Sequence, residues 1–172
     1  MIGLTDELYK KYTDFIQEKF GVKFGVEQKN TLNNRLMPLL IANHFEDFNE
    51  LYSKLTSVGN ENILQDFIGK VTTNHTYFYR ESSHFEILSE KIFPEEENSL
   101  RVSGDTELRY WVAASSTGEE PYTLAMLLHN HFAARGFKNK ISILATDISR
   151  KAINTANAGV YKTTEFKRLP QH

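Results

Sequence analysis

The sequence of 172 residues predicts a small helical bundle followed by the β-α-β-α beginning of a parallel α/β sheet. Apolar residues recur at helical spacing through the first part of the chain. Further on, strand-like runs alternate with helical patterns, and a strand–helix–strand order produces parallel pairing. We therefore expect a helical domain at residues 1–71, a polar linker at 72–81 and an α/β domain at 82–172.

Four amphipathic segments define the helical domain. Each carries apolar side chains three or four residues apart, the spacing that places them on one face of a helix. Short polar stretches separate the segments, and Gly21 ends the first. The pattern predicts a four-helix bundle with apolar positions at Leu4, Leu8, Tyr12, Phe15, Ile16, Leu32, Leu36, Leu39, Leu40, Phe48, Leu51, Tyr52, Leu55, Ile63, Leu64, Phe67, Ile68 and Val71.

A polar, β-branched stretch at 72–76 is a poor helix interior and indicates the linker. After it, Ser83 and Glu86 have the spacing of a capping box, which predicts a helix with Ser83 as its N-cap. We expect Pro94 to end this helix. The acidic run at 95–99 is then expected to be a solvated loop.

Strand and helix signals alternate in the last third of the chain. The β-branched and aromatic content of 108–113 and 141–146 predicts two strands. Pro121 is expected to begin the helix between them, because proline suits a first-turn position, and Gly136 to end it. Ser149 is expected to cap a further helix, which Gly159 stops.

Composition excludes several classes of function. The formal net charge is −2, so the sequence lacks the excess of basic residues that is typical of nucleic-acid-binding proteins. The absence of cysteine excludes disulfides and thiolate metal sites. His129 and His131 lie two positions apart on a predicted helix and therefore point to different faces, so we expect no metal site. The sequence lacks the Gly-x-Ser-x-Gly motif that carries the nucleophile of many serine hydrolases, which argues against that class of enzyme. The absence of cysteine fits a reducing cytoplasm, where we expect the protein. The acidic N-terminus and the lack of a long apolar run predict no signal peptide and no membrane insertion.

The first strand is followed by small residues and two acids, in the stretch 113–122. Ligands of open α/β sheets bind beyond the carboxyl ends of the strands. Glu119 and Glu120 would repel a phosphate but suit a cationic group, such as the ammonium or sulfonium of S-adenosylmethionine. Asp147 ends the second strand, where an acid commonly binds ribose hydroxyls. Spacing alone leaves two interpretations open: a nucleoside cofactor site, or a capped helix with surface acids and an ordinary turn aspartate.

The linker offers Asn74, Thr76 and Arg80 as polar groups that could close over a ligand. Composition alone favours the other interpretation, in which these residues form a hydrogen-bonded connection between two domains.

Four segments, in order, resemble the CheR family of chemotaxis receptor methyltransferases. The stretch 116–126 is similar to that family's cofactor loop and following helix, and 72–81 to its inter-domain segment. Residues 145–148 resemble the end of its second strand. Residues 156–161 match its Ala-x-x-Gly-x-Tyr pattern.

This resemblance implies a Rossmann-like domain that transfers a methyl group from S-adenosyl-L-methionine to glutamate side chains on the cytoplasmic helices of chemoreceptors. The products would be glutamate methyl esters and S-adenosyl-L-homocysteine. Arg80 would also orient a carboxylate during catalysis, and Glu120 would be a neighbour of Glu119 at the site. The cofactor-binding positions that the resemblance implies are Asn74, Thr76, Arg80, Glu119 and Asp147.

Three features depart from the family pattern. A full Rossmann-like sheet has more strands than the two found here, so we expect an incomplete sheet, a truncated segment with weak cofactor binding, and self-association through the sheet edge. The helical pattern at 26–44 carries only Lys29 and Arg35 against Glu27, whereas the family often has a markedly basic helix there. The cofactor loop has no glycine before Gly118.

Two other functions compete with the enzyme hypothesis. The chain could be a non-catalytic cofactor-binding or signalling module that retains half of the pocket. It could also be a helical adaptor joined to a partial α/β domain, although that leaves the order of the motifs unexplained.

Overall fold

A computed structural model describes residues 3–72, 75–104, 107–137 and 140–169. The chain divides into two compact units, Met1–Thr73 and Asn74–His172, and each is described by itself.

The first unit consists of helices, as the apolar spacing predicts. Thr5 and Asp47 cap two of them by accepting hydrogen bonds from backbone amides, and Gly21 ends the first with a φ of 69°. The helices are α1 (Asp6–Phe20), α2 (Lys29–Ala42, preceded by a 3₁₀ turn at Val26–Gln28), α3 (Phe48–Thr56) and α4 (Glu61–Val71).

The core of this unit is aromatic and aliphatic. The buried Tyr12 hydroxyl donates to the Phe48 carbonyl oxygen at 2.8 Å, which satisfies a polar group that would otherwise be costly to bury. Side chains exposed by 1 % or less are Tyr12, Ile16, Leu32, Leu36, Phe48, Leu51, Leu55, Phe67 and Val71. All of them lie at positions that the periodicity assigned to the bundle core, so this prediction is confirmed.

The second unit contains four helices and two strands among its described residues. They are α5 (Ser82–Ile87), α6 (Phe93–Ser103), β1 (Glu107–Ala113), α7 (Glu119–Phe132), β2 (Lys140–Thr146) and α8 (Arg150–Ala158). A π-helical turn at Leu88–Ile92 joins α5 to α6, and 3₁₀ turns lie at Ala133–Arg135 and Thr163–Arg168.

The prediction that Pro94 ends a helix is wrong. The backbone continues through the π turn, in which the Phe93 amide donates to the Leu88 carbonyl, and Pro94 then lies in the first turn of α6. The wider turn accommodates a residue that has no amide hydrogen to donate.

The acidic run at 95–99 is accordingly helical and not a loop. Glu95 and Glu96 lie in the first turn of α6. Glu97 pairs with Arg101 at 2.8 Å and with His131 of α7 at 3.2 Å, so part of the run fastens two helices together. The predicted Ser83 cap is also wrong, because α5 begins at Ser82 after Glu81 and has no side-chain cap bond.

The two strands are parallel, which confirms the predicted β-α-β-α order. Glu107 pairs with Lys140 and Ala113 with Thr146. On one sheet face, Val112 packs in a core with α6 and α7. On the other face, Trp111 and Leu144 stand side by side in register and are largely exposed. Among the described residues the sheet has two strands, so the incomplete Rossmann-like fold agrees with the expected class.

The ends of the last two helices follow their expected capping residues. Gly118 precedes α7, which begins two residues before Pro121 and continues into a 3₁₀ turn that Gly136 ends. The Ser149 hydroxyl accepts from the Ala152 amide at 3.3 Å, and Gly159 ends α8 with a φ of 61°. Across the ranges the structure describes, no helix is long and apolar enough to cross a membrane.

Glu107 joins the two strands at their first residues. Hydrogen bonds from Arg109 and then Lys140, at 2.6 and 3.2 Å, hold its pKa at about 2, below the usual 4.5. A carboxylate with a lowered folded-state pKa contributes stability above its unfolded pKa and loses it as pH falls through the folded value. We expect Glu107→Gln to show a shallower decline in unfolding free energy between pH 4.5 and 2 than wild type, as measured by urea denaturation.

The exposed Glu95 offers a matched control for this change. Glu95→Gln removes one carboxylate outside the strand pair and should follow the wild-type curve. Identical pH dependence in wild type and Glu107→Gln would contradict the stabilising role of the Glu107 carboxylate.

Candidate functional site

The loop between β1 and α7 has an unusual backbone. Ala114, Ser116 and Gly118 have φ values of 56°, 49° and 102°, in the left-handed region that favours glycine. Two of these three residues have side chains, and such positions persist only where surrounding contacts hold them. The Ser115 amide donates to the Thr146 carbonyl oxygen at 2.9 Å, which attaches the loop to the end of β2.

Asp147 connects this loop to the next one. Its Oδ2 accepts from the Ser116 amide at 2.7 Å, and its Oδ1 accepts from the Ser149 amide at 2.8 Å. The carboxylate therefore braces the backbone at the ends of both strands. A carboxylate accepts about four hydrogen bonds in total, so it retains the capacity to accept from ligand hydroxyls.

Glu119 is a buried acid at the start of α7. Its side chain accepts from the Thr117 hydroxyl at 2.7 Å, and the residue is only 8 % exposed. None of the ion pairs formed within the described ranges involves Glu119. A buried charge is costly unless a cation or several hydrogen bonds compensate it. The site therefore fits a ligand that brings its own positive charge.

Ser115 places a buried hydroxyl in the same loop. It is 1 % exposed, and its hydroxyl has no hydrogen-bond partner among the residues that the structure describes. Buried hydroxyls without partners are uncommon and concentrate at functional or strained positions.

The back of the loop is closed by α8 and the residues after it. The Tyr161 hydroxyl donates to the Thr117 carbonyl oxygen at 2.6 Å. A Cβ on Gly118 would collide with that hydroxyl and would lie 2.9 Å from Ala156 Cβ. Burial, and then the nearby Glu119, raises the pKa of Tyr161 to about 12, so its hydroxyl remains a donor at neutral pH.

The segment 75–81 packs within the second unit. Phe78 is 1 % exposed, stacks on Phe166 with ring centroids 4.5 Å apart, and meets the Tyr161 ring edge-on at 5.0 Å. The Tyr79 amide donates to the hydroxyl of the fully buried Thr123 at 3.2 Å. These contacts hold the segment against α7 and the C-terminal 3₁₀ turn.

A cleft of about 470 Å³ runs beside β1. Arg80 lies on it, donates to the His75 carbonyl oxygen and approaches Glu81 to 3.9 Å. The cleft thus combines cationic, acidic and aromatic groups. Its lining includes Arg80, His84, Trp111, Ala113, Glu120 and Leu124.

The structure brings some of the predicted site residues together. Asp147 and Glu119 bond to adjacent loop residues, Ser116 and Thr117. Arg80 shares the cleft with Glu120. Thr76 is half-buried at the start of its segment, and Asn74 lies outside the described residues.

Tyr161 and Ser115 are site residues to which sequence reasoning assigned no role. Tyr161 is the last residue of the Ala-x-x-Gly-x-Tyr segment, and that pattern was the only available signal. The partner that makes it relevant, Thr117, is 44 positions away.

The fold is that of an α/β protein with a strained, acidic loop at a helix start and a second acid at the next strand end, the edge of the sheet where ligands of such folds bind. Residues 74–172 match the sequence model of the SAM-binding domain of CheR methyltransferases, and residues 7–72 match that of the CheR all-alpha domain. The chain belongs to the CheR methyltransferase family, and S-adenosyl-L-methionine is the cofactor of this domain.

Curated relatives agree with this assignment. The chain is 36 % identical to a chemotaxis protein methyltransferase of Borreliella burgdorferi over 172 residues, covering 99 % of this chain and 60 % of the relative. Identity to the proteins of the same name from Salmonella typhimurium and Escherichia coli is 33 % and 32 %. Those matches cover 98 % of this chain and 54 % and 55 % of the relatives. The chain therefore spans somewhat more than half the length of these relatives.

Proposed function

We propose that this chain binds S-adenosyl-L-methionine at the loop before α7 and takes part in methylating glutamate side chains on the cytoplasmic helices of chemoreceptors. The buried Glu119, which has no cationic partner in the described ranges, carries this proposal. A sulfonium or an ammonium group would compensate its charge. Membership in the methyltransferase family supports the reaction, and a substrate on cytoplasmic helices would place the protein in the cytoplasm.

We also propose that three segments of the chain have different roles. Residues 1–71 would form a helical domain, 72–81 a linker that contributes to the cofactor site, and 82–172 the methyltransferase part. The packing of Phe78 against Tyr161 supports a contribution of the linker to the site. Thr76 and Arg80, and Asn74 by resemblance, would supply its polar contacts to the cofactor.

The bound cofactor supplies an electrophilic methyl group on a positively charged sulfur. The acceptor needs no general base, because a glutamate side chain with a pKa of about 4.3 is already ionised at neutral pH. Glu119 would compensate positive charge on the cofactor, and Asp147 would accept from its ribose hydroxyls. Arg80 would orient a carboxylate, either that of the acceptor or that of the cofactor. Alignment of the reacting groups can supply a large part of the rate enhancement.

Two measurements on the 172-residue chain test this proposal. Titration with S-adenosylhomocysteine, followed by amide NMR shifts, should move the signals of 115–119 even if binding is weak. Incubation with methyl-labelled cofactor and a chemoreceptor helical fragment should produce base-labile methyl esters. Binding without ester formation would favour the non-catalytic module, and no shift in the loop would contradict cofactor binding at this site.

Arg80→Ala should lower kcat/KM for methyl transfer about tenfold to a hundredfold, the usual worth of hydrogen bonds to a charged group. Its half-exposed position makes a large loss of folding stability unexpected. Arg80→Lys keeps the charge but removes the planar fork, so it should recover only part of the activity. Unchanged cofactor affinity and unchanged transfer in Arg80→Ala would exclude this role.

Self-association through the unpaired edge of the two-stranded sheet remains a prediction. Analytical ultracentrifugation at several protein concentrations would detect it as a rise in average mass.

A further inference from the structure

One long-range hydrogen bond fixes the peptide between Thr117 and Gly118. Tyr161 donates to the Thr117 carbonyl oxygen at 2.6 Å from 44 positions away. Gly118, which follows this peptide, has a left-handed φ of 102°, and Ser116, the residue before Thr117, has a φ of 49°. Rotation of this peptide would change ψ of Thr117 and φ of Gly118 and would carry the Thr117 carbonyl oxygen away from Tyr161, so the Tyr161 hydroxyl opposes that rotation.

Thr117 transmits this restraint to the acid of the site. Its carbonyl oxygen accepts from Tyr161, while its own hydroxyl donates to Glu119 Oε2 at 2.7 Å. The position of the Glu119 carboxylate therefore depends on the orientation of Thr117. Since Gly118 is the N-cap residue of α7, the same peptide also sets where the first amides of that helix point.

The Tyr161 ring is itself held in place by other aromatic rings. Phe78 meets it edge-on at 5.0 Å, Tyr122 at 5.7 Å and Phe166 at 6.3 Å. Edge-to-face contacts at these distances are favourable and directional. The hydroxyl therefore reaches the loop from a rigid cluster, which also includes the 75–81 segment through Phe78.

We infer that Tyr161 is a positioning residue of the cofactor site, whose hydroxyl holds the Thr117–Gly118 peptide so that Glu119 and the start of α7 face the cofactor. This inference rests on the proposed function. It assigns a role to the last residue of the 156–161 segment, which the cofactor contacts themselves leave unexplained.

Tyr161→Phe and Tyr122→Phe form a matched pair of variants. Each removes one hydroxyl from the same aromatic cluster and keeps the ring. The Tyr122 hydroxyl donates to the Ala156 carbonyl oxygen of α8 at 3.0 Å and not to the loop. For each variant we would measure the thermal midpoint, the amide signals of 115–119 without ligand, and the Kd for S-adenosylhomocysteine by NMR titration.

We expect Tyr161→Phe to raise the Kd about five- to tenfold, the worth of one hydrogen bond. In the ligand-free Tyr161→Phe variant the amide signals of 115–119 should shift or double, and its thermal midpoint should change no more than that of Tyr122→Phe. The Kd and the loop signals of Tyr122→Phe should match wild type. Equal effects of both variants would show that only packing matters, and would overturn the inference. Unchanged loop signals and an unchanged Kd in Tyr161→Phe would do the same.

The two proposals can fail separately. If S-adenosylhomocysteine leaves the wild-type loop signals unmoved, the proposed cofactor site is wrong. The signals of ligand-free Tyr161→Phe still decide whether the hydroxyl holds the peptide, because that comparison uses no ligand.

Discussion

Gly118→Ala should abolish detectable cofactor binding and lower the free energy of unfolding by about 2–5 kcal/mol, the sum of a left-handed alanine and an overpacked site. Gly118 has a φ of 102°, and an added Cβ would meet the Tyr161 hydroxyl and Ala156 Cβ. The nearer atoms belong to a rigid ring cluster and a helix, so neither can move without disturbing the loop. Urea denaturation and titration with S-adenosylhomocysteine would measure both effects.

Gly136 is a suitable control, because its φ is 73° and no described atom lies within 4 Å of its Cβ position. Gly136→Ala should lose only about 1–2 kcal/mol, from backbone strain alone, and should keep cofactor binding. The double variant Gly118→Ala/Tyr161→Phe removes one of the two collisions, so its cost should be less than the sum of the single changes. Equal losses at Gly118 and Gly136 would show that close packing at the loop is unimportant.

Glu119→Gln should weaken cofactor binding about tenfold to a hundredfold, the range for a hydrogen-bonded charged group. The amide keeps the size of the side chain but removes the buried negative charge. Because that charge has no cationic partner in the described ranges, folding stability should stay the same or rise. NMR titration and thermal unfolding of the same samples would test the opposite directions of the two effects.

The choice of ligand identifies which positive group Glu119 compensates. S-adenosylmethionine carries both a sulfonium and an ammonium, whereas S-adenosylhomocysteine carries only the ammonium. If Glu119→Gln weakens the binding of S-adenosylmethionine alone, Glu119 compensates the sulfonium. If it weakens the binding of both ligands equally, Glu119 compensates the ammonium.

Glu120→Gln is the control, because it removes the same charge from an exposed position. The affinity of this variant for the cofactor should stay within about threefold of wild type. A larger loss in Glu120→Gln than in Glu119→Gln would contradict the assignment.

Most of the element types could be predicted from local pattern. The apolar spacing in the first unit matches its buried residues, because a helix that packs on one side must repeat its apolar positions every three to four residues. The two strands and their parallel order were predictable because a helix-sized segment separates them. Pro94 was misread, because the preceding π turn that accommodates it has no local sequence signal.

Only part of the candidate site could be predicted from the sequence. Glu119 and Asp147 could be nominated because polar residues that follow strands gather at one edge of a parallel sheet. Their environments could not be predicted. Asp147 braces the Ser116 and Ser149 amides, and Glu119 is buried beside Thr117. Those contacts depend on how two loops and a helix start converge.

The sequence by itself determined the helical unit, the strand–helix alternation and the acids at the strand ends, because these follow from local periodicity and from the topology of parallel strands. Only the tertiary structure decided that the loop before α7 is strained and that Glu119 is buried without an ion-pair partner in the described ranges. It also brought the Tyr161 hydroxyl to the Thr117 carbonyl oxygen, across 44 residues. Contacts between residues so far apart in the chain arise from the packing of whole elements, which no local pattern encodes.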